Sequence, residues 1–412
     1  MIPARLHTVL RTLFSIGVLA TLCIAPTQWA LELRPKFYLS PADLALAITA
    51  GIWLLDIAVT RDWRRLFALP PWPSLLFIAL VFASAVTAPD KVAAFKDLIQ
   101  YTEYFFVGHM LFAAFLRDDA GALRRTFFAL ACVTAVILGL ALIQYFSSTT
   151  DVLKVRGSFG NRNVLGGYLA LAMPLLFSAL LGVRPLWGKL LLTALLIAGL
   201  TVNLSGAAYF SVAGVIVCIA ASRGPRLFIP VAVALLAWQV FVLPHLPREN
   251  DLVHFHSLAL YSDSGNAERR YPDWQAAYSM ALTHPWLGVG VGNYQKNVGQ
   301  YYDNIPRQTG PAEPDIQNLY LVLAASSGLP SLLAFMALLA CAARAACSAK
   351  TRLNSESGPL VYALTQGITG AVVAFSATAV WHPLLVRGIG LPLVFLIVLA
   401  YHFAQAKDVH GI

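Results

Sequence analysis

Four arginines are the side chains of this chain best suited to chemistry on a charged substrate: Arg156, Arg162, Arg269 and Arg270. A guanidinium matches a phosphate because its planar fork makes two charge-assisted hydrogen bonds at once. Each such bond is worth about 1.5–3 kcal/mol. Together the arginines could therefore bind a diphosphate. The simpler alternative is that they anchor the protein to lipid headgroups.

A short acidic segment offers a second kind of chemistry. Glu313 and Asp315 form a close pair of carboxylates in "EPD", and Gln317 and Asn318 follow directly. The carboxylates could hold a cation or remove a proton from a hydroxyl group, whereas a purely structural Asp315 would cap a helix. The histidines and cysteines show neither zinc-site spacing nor a nucleophilic triad motif, so we expect no metal and no cofactor.

Two further patterns are each open to two interpretations. Lys96, Gln100 and Glu103 are spaced to share one face of a helix. They mark either a functional path within the membrane or a structural Lys–Glu network. The glycine run "GVGVGN" (288–293) supplies either backbone N–H groups for an anion or a plain turn.

The elements that carry these residues are predicted to be membrane helices. The chain is 58% hydrophobic and only 12% charged, against about 25% charged in soluble domains. A span needs about 20 apolar residues, and the sequence has about twelve such runs. They lie at 9–26, 42–60, 71–89, 94–116, 123–146, 164–182, 186–205, 207–222, 227–244, 317–342, 359–381 and 388–406.

The distribution of charge predicts the orientation. Lys and Arg are more numerous in the loops on the side of the N terminus, so both termini are expected in the cytoplasm. The net charge of +9 follows from this orientation and gives no reason to expect a nucleic acid partner. All five cysteines fall in or at the ends of spans, so no disulfide framework is expected.

One long segment interrupts the predicted spans. We divide the chain into spans one to nine (1–244), an extracytoplasmic loop domain (245–316) and spans ten to twelve (317–412). Loops longer than about 15 residues are uncommon unless functional or disordered. The stretch "YPDWQAAYSMALTHP" predicts an amphipathic helix in this loop, with Trp274, Ala277, Tyr278 and Ala281 on its apolar face and Pro285 at its end. The expected fold is an all-α integral membrane protein with one partly helical loop.

Several stretches resemble the O-antigen ligase family, polytopic bacterial transferases that include related O-antigen polymerases. The likeness rests on the order of the segments along the twelve-span plan. They are "RGSFGNRNVLGGYLALAMPLL" (156–176), "RYPDWQAAYSMALTHPWLGVGVGNY" (270–294) and "QNLYLVLAASSGLPSLLAF" (317–335).

The resemblance implies a function at the periplasmic face of the bacterial inner membrane. A glycan would pass from undecaprenyl diphosphate to an acceptor glycolipid, which is the lipid A–core in ligases or another repeat unit in polymerases. The implied enzyme is a metal-independent, inverting glycosyltransferase embedded among membrane lipids. Its main need is to stabilise charge developing on the diphosphate leaving group.

The predicted site combines this resemblance, which carries over Arg156, Arg270 and the supporting residues, with the residue patterns described above. Arg156, Arg162, Arg270 and Lys96 would bind the diphosphate, and Arg270, Glu313, Asp315 and Gln317 form the catalytic candidates. Supporting residues are Asn161, Asn163, Asn318 and Tyr320.

Two positions depart from the family pattern. Gln317 stands where the family has the histidine that activates the acceptor hydroxyl, and Ala207 or Ala208 stands where it has an arginine. The base could therefore be Asp315 or Glu313, or the acceptor could differ, as in a polymerase. The chain could instead bind lipid-linked glycan without transferring it, or transport it.

Overall fold

The protein is built from α-helices with one small pair of strands. The computed structural model describes residues 2–34, 37–67, 69–119, 121–147, 155–246, 264–302, 316–352 and 359–405. The helices are α1 Ile2–Ile24, α2 Pro41–Thr60, α3 Trp72–Thr87, α4 Lys91–Thr102, α5 His109–Asp118, α6 Ala122–Ser147, α7 Arg162–Gly182, α8 Leu186–Val202, α9 Gly206–Ala221, α10 Pro225–Ala237, α11 Ser264–Thr283, α12 Tyr294–Asn297, α13 Leu319–Ser327, α14 Leu329–Arg352, α15 Pro359–Ala379 and α16 Gly390–Gln405. Strands β1 Leu31–Arg34 and β2 Phe37–Leu39 pair antiparallel.

A helix lies at each of the predicted apolar runs. Within the described residues, seven helices are long and apolar enough to cross a membrane, and four more are apolar but shorter. The chain is therefore a multi-pass membrane protein, while twelve crossings stays a prediction. The fourth run continues from α4 through a π-helix, Glu103–Gly108, into α5. The tenth divides into α13 and α14 at Gly328, where φ is 88°.

The centre of the bundle is α7, which packs against α8, α9 and α15. Gly166 and Gly167 lie near its N terminus, and their missing side chains set how closely its neighbours approach. A Cβ added at Gly166 would lie 2.7 Å from Cβ of Ser205, and one at Gly167 would lie 2.6 Å from a Leu384 methyl. The turn before α9 and the loop after α15 therefore sit directly against the start of α7.

The long loop is folded where the structure describes it. Helix α11 packs against α13 through buried side chains that include Ala277, Met280 and Ala281. Two expectations about this helix are wrong. It begins at Ser264 and contains Pro272, rather than starting near that proline. Tyr278 is 57% exposed, because the face that contacts α13 is turned away from it.

The glycine run joins this loop to the bundle. Gly288, Gly290 and Gly292 have φ of 65°, 102° and 71°, which only glycine adopts without strain. An added Cβ would meet the Ser326 backbone at 2.3 Å, Ala88 at 2.4 Å and the Ala93 carbonyl at 2.5 Å respectively. The run is thus a tightly packed turn.

The backbone N–H groups of this turn are used inside the protein. Val289 donates to the Ala325 carbonyl at 2.9 Å, and Val291 donates to Ser84 Oγ at 3.0 Å. The side chain of Asn293 is 1% exposed and bonds both the N–H and the C=O of Asp90. The structure therefore favours the plain turn over an anion-binding loop.

Candidate functional site

Side chains from four separate segments meet at one end of the bundle. His382, in the loop after α15, lies between Gln317 and Ser205. Its Nδ1 is 2.9 Å from Gln317 Oε1, and its Nε2 is 3.0 Å from Ser205 Oγ. Asn163 Nδ2 lies 3.5 Å from the same Gln317 oxygen. We call Asn163, Ser205, Gln317 and His382 the polar cluster.

The polar cluster combines a buried part with an accessible one. His382 is 3% exposed and Ser205 is 2% exposed, whereas Gln317 and Asn163 are half-buried. Gly206 and Ala207, which follow Ser205, are also half-buried. The accessible edge of the cluster is therefore at these positions, while the imidazole is shielded from bulk water.

Two asparagines predicted to support the site act as helix caps. Asn161 Oδ1 accepts the N–H groups of Asn163 and Val164, at 2.9 and 3.0 Å, and so begins α7. Asn318 Oδ1 accepts those of Tyr320 and Leu321, both at 3.0 Å, and begins α13. Each cap satisfies N–H groups that would otherwise lack a partner. Because the caps begin these two helices, they place Asn163 and Gln317 within reach of each other.

Tyr320 also holds the helices together. Its hydroxyl donates to the Ser376 carbonyl of α15 at 2.8 Å, which ties α13 to the helix that precedes His382. From the sequence, Asp315 could be a helix cap, but the N-cap residue of α13 is Asn318. Glu313 and Asp315 themselves lie outside the described residues.

The turn that carries Arg156 is clamped by two glutamines. Gln144 Oε1 accepts the N–H groups of Arg156 and Gly157 at 2.9 and 2.8 Å. Gln28 Oε1 accepts Gly160 N–H at 2.5 Å, while its Nε2 donates to the Arg387 carbonyl at 2.8 Å. The turn is thus fixed against the loop that contains His382.

Two of the predicted diphosphate ligands lie on this turn. Arg156 is exposed, and its Nη1 donates to the Gly160 carbonyl at 3.3 Å. Arg162 is the first residue of α7 and is half-buried. Asn163, a member of the polar cluster, is its direct neighbour. Both arginines therefore lie on the segment that leads into Asn163, and diphosphate binding by them stays a prediction.

Lys96 lies on α4, and Glu103 begins the π-helix that follows it. Lys96 is half-buried on α4. Gln100 donates to the Tyr104 hydroxyl at 2.8 Å, and Glu103 lies against Asp43 and Arg387. Asp43 also pairs with Arg387, at 3.0 Å between Oδ2 and Nη2. Glu103 is thus part of an acid–arginine group, and diphosphate binding by Lys96 stays a prediction.

The structure describes the backbone of α11 at Arg270, but the side chains of Arg269 and Arg270 lie outside its described part. The helix itself approaches the site. The ring of Trp274, one turn after Arg270, lies 5.4 Å from that of Trp381, measured between centroids. Trp381 directly precedes His382, so α11 contacts the same loop as the polar cluster.

Sequence reasoning missed His382 and Ser205. One signal was present: "WHP" (381–383) falls in a short loop predicted on the same side of the membrane as the long loop. Nothing in the spacing linked this histidine to Gln317, which is 65 residues away.

Among the described residues, no three His, Cys, Asp or Glu side chains are grouped as metal ligands are.

Away from the cluster, Lys296 pairs with Asp90. The hydrogen bond from Lys296 holds the pKa of Asp90 below its usual range. This ion pair adds to the contacts that attach the glycine turn to the bundle.

The fold and the polar cluster define a multi-pass α-helical membrane protein with a hydrogen-bonded site at one end of its bundle. Residues 161–336 match the family model described as O-antigen ligase. This region is therefore similar to that family, whose members are membrane glycosyltransferases that use lipid-linked glycans. The matched region contains Asn163, Ser205 and Gln317 but ends before His382. No curated protein matches the chain.

Proposed function

We propose that the protein transfers a glycan from undecaprenyl diphosphate to an acceptor glycolipid at the periplasmic face of the bacterial inner membrane, as O-antigen ligases do. The observation that carries the proposal is the polar cluster. It joins the start of α7, the turn before α9 and the start of α13, all within the matched region. The same end of the bundle carries Arg156 and Arg162.

The division of labour follows from the chemistry of the donor. A sugar linked to a diphosphate carries its own leaving group, so the protein has to hold the diphosphate and stabilise the charge that develops on it. In this proposal Arg156 and Arg162, on the segment that leads into Asn163, bind the diphosphate together with Arg270 of α11. The half-buried amides of Gln317 and Asn163 are suited to binding sugar hydroxyl groups.

Donor binding tests this proposal. We expect Arg156→Ala to weaken binding of undecaprenyl diphosphate in detergent about tenfold to 100-fold, because it removes about 1.5–3 kcal/mol of charge-assisted hydrogen bonding. Arg270→Ala should abolish glycan attachment in cells while the protein remains in the membrane. Arg226→Ala is the matched control, since Arg226 is also exposed but lies at the start of α10. Equal binding by Arg156→Ala and the control would contradict the proposal.

The acceptor decides between the related functions. Reconstituted protein receives undecaprenyl-diphosphate-linked glycan with either lipid A–core or a second molecule of the donor. Product with lipid A–core identifies a ligase, and product with the donor alone identifies a polymerase. Tight donor binding without product under either condition would indicate a binding protein and refute transfer. In a deletion strain, donor that accumulates on the cytoplasmic side of the membrane would indicate a transporter.

A further inference from the structure

The hydrogen bonds of His382 fix where its ring can accept a proton. An amide oxygen only accepts hydrogen bonds, so with Gln317 Oε1 facing Nδ1 at 2.9 Å this nitrogen carries the hydrogen. In the neutral ring, Nε2 is then unprotonated and accepts the hydrogen of the Ser205 hydroxyl at 3.0 Å. The neutral ring therefore presents its basic nitrogen to a hydroxyl group.

The Ser205 hydroxyl bonds His382 instead of capping the helix that follows it. It occupies the N-cap position of α9, yet its side chain makes no capping hydrogen bond. A serine at this position ordinarily contributes about 1 kcal/mol by bonding the first N–H groups of the helix. Here the hydroxyl is turned to His382 instead, so the pairing is maintained against the local preference of the helix end.

The same turn contains an acceptor without a donor. Asn203, two residues before Ser205, is 1% exposed, and its Oδ1 makes no hydrogen bond within the described residues. Leaving a buried polar atom unpaired costs about 1–3 kcal/mol. A ligand hydroxyl arriving beside Ser205 would supply the missing donor. This observation is independent of the histidine and also indicates that the turn receives a polar group.

We propose that His382 is the proton acceptor of the transfer reaction, acting through Ser205, and that Gln317 is the positioning residue that holds its ring. The inference rests on the proposed function. It assigns the base to a residue outside the matched region, in place of Asp315 or Glu313. Gln317, at the position where the family carries its histidine, then keeps a role as the hydrogen-bond partner of the displaced base.

The reaction step balances as a single displacement. The acceptor oxygen forms a bond to the anomeric carbon, and the bond from that carbon to the phosphate oxygen breaks, its electron pair leaving with undecaprenyl diphosphate. The acceptor proton passes to Ser205 Oγ as the serine proton passes to His382 Nε2. The imidazolium later releases this proton to solvent. Nδ1–H stays bonded to Gln317 throughout.

The charged and titratable groups around the ring lie on the segments that meet there. Among the described residues they are Arg162 at the start of α7, Arg387 in the loop of His382, and Asp43 and Glu103, which lie against Arg387. Tyr320 of α13 bonds the Ser376 carbonyl. Gln317 and Ser205, which hydrogen-bond the ring, are both uncharged. Replacing Gln317 therefore changes the charge next to the imidazole in a controlled way.

The test uses the reconstituted full-length protein with undecaprenyl-diphosphate-linked glycan and whichever acceptor gives product with the unmodified protein. We expect His382→Gln to lower the transfer rate about 10²–10⁴-fold, the range contributed by a general base, with donor binding unchanged. His402→Gln is the matched control, because His402 is a partly buried histidine in the last turn of α16, about 18 Å along the helix from its start. Its rate should equal that of the unmodified protein.

A pH profile separates catalysis from a structural role. Gln317→Glu places a carboxylate against the ring, which favours the protonated imidazole. The acid side of the rate profile should therefore move to higher pH, whereas a purely structural pairing would leave its position unchanged. Ser205→Ala should slow transfer without changing donor binding.

The outcomes distinguish this inference from the proposed function. Transfer by His382→Gln at the unmodified rate, or loss of transfer with Asp315→Asn but not with His382→Gln, overturns the role of His382 and leaves the transferase intact. A profile unmoved in Gln317→Glu also contradicts the inference. If the unmodified protein binds donor but yields no product with either acceptor, the proposed function itself is wrong.

Discussion

We predict that the hydrogen bonds of Ser84 are the main polar contacts that hold the folded loop against the bundle. Its side chain is fully buried, at 0% exposed. Its hydroxyl lies 2.8 Å from the Leu287 carbonyl and 3.1 Å from the Ser326 carbonyl, and it accepts the N–H of Val291 at 3.0 Å. One residue at the end of α3 thus bonds the glycine turn and the end of α13 together.

The cost of Ser84→Ala follows from the groups that it leaves unpaired. The substitution leaves the Val291 N–H without its partner, and the Leu287 carbonyl loses the hydroxyl that bonds it. Each buried group left unsatisfied costs about 1–3 kcal/mol, so for these two groups we expect a loss of about 2–6 kcal/mol of unfolding free energy. Transfer activity should fall with it, because α13 carries Gln317 at its start and α11 packs on α13.

Ser331 offers a matched control on the neighbouring helix α14. It is also 0% exposed, but its hydroxyl makes no hydrogen bond within the described residues. Ser331→Ala should therefore be neutral or stabilise the protein by about 1 kcal/mol. Both variants are measured by chemical unfolding in detergent followed by tryptophan fluorescence, with limited proteolysis to report detachment of α11. Two variants within about 0.5 kcal/mol of each other, a size typical of neutral surface changes, would refute the reasoning.

Two further predictions concern the elements next to the site. Gly290→Ala should destabilise the protein by roughly 3 kcal/mol or more, because φ is 102° and the new Cβ would lie 2.4 Å from Ala88. Gly51→Ala, which meets nothing within 4 Å, should be stabilising in the same thermal unfolding assay, and equal melting temperatures would contradict the packing argument. Asn318→Ala should cost about 1 kcal/mol through the lost cap of α13, and Asn318→Asp should restore most of that stability. Failure of the aspartate to do so would show that the amide has another role.

Much of the fold can be predicted from the sequence. The bilayer requires each membrane helix to be a continuous apolar run, and such a run is visible in the sequence without knowledge of its tertiary contacts. Each apolar run is long enough to hold a helix by itself, so the runs coincide with the observed helices. The interruption of the fourth run by a π-helix was not readable, since it depends on how the helix packs against its neighbours. The exposed side of Tyr278 was misjudged for a similar reason. Spacing identifies an apolar face, whereas the contact with α13 selects which part of it is buried.

At the candidate site, the sequence predicts the individual polar turns, but it does not predict which of their side chains meet. The sequence predicts polar turns at 161–163 and 316–318 at the ends of membrane helices, and the resemblance to the family predicts that Gln317 stands in place of a histidine. Only the tertiary structure decided what stands beside that glutamine. Ser205 and His382 are 177 residues apart, and they meet because Gly166 and Gly167 allow both of their turns to approach α7. The proximity of such groups is a property of helix packing, which spacing along the chain does not encode.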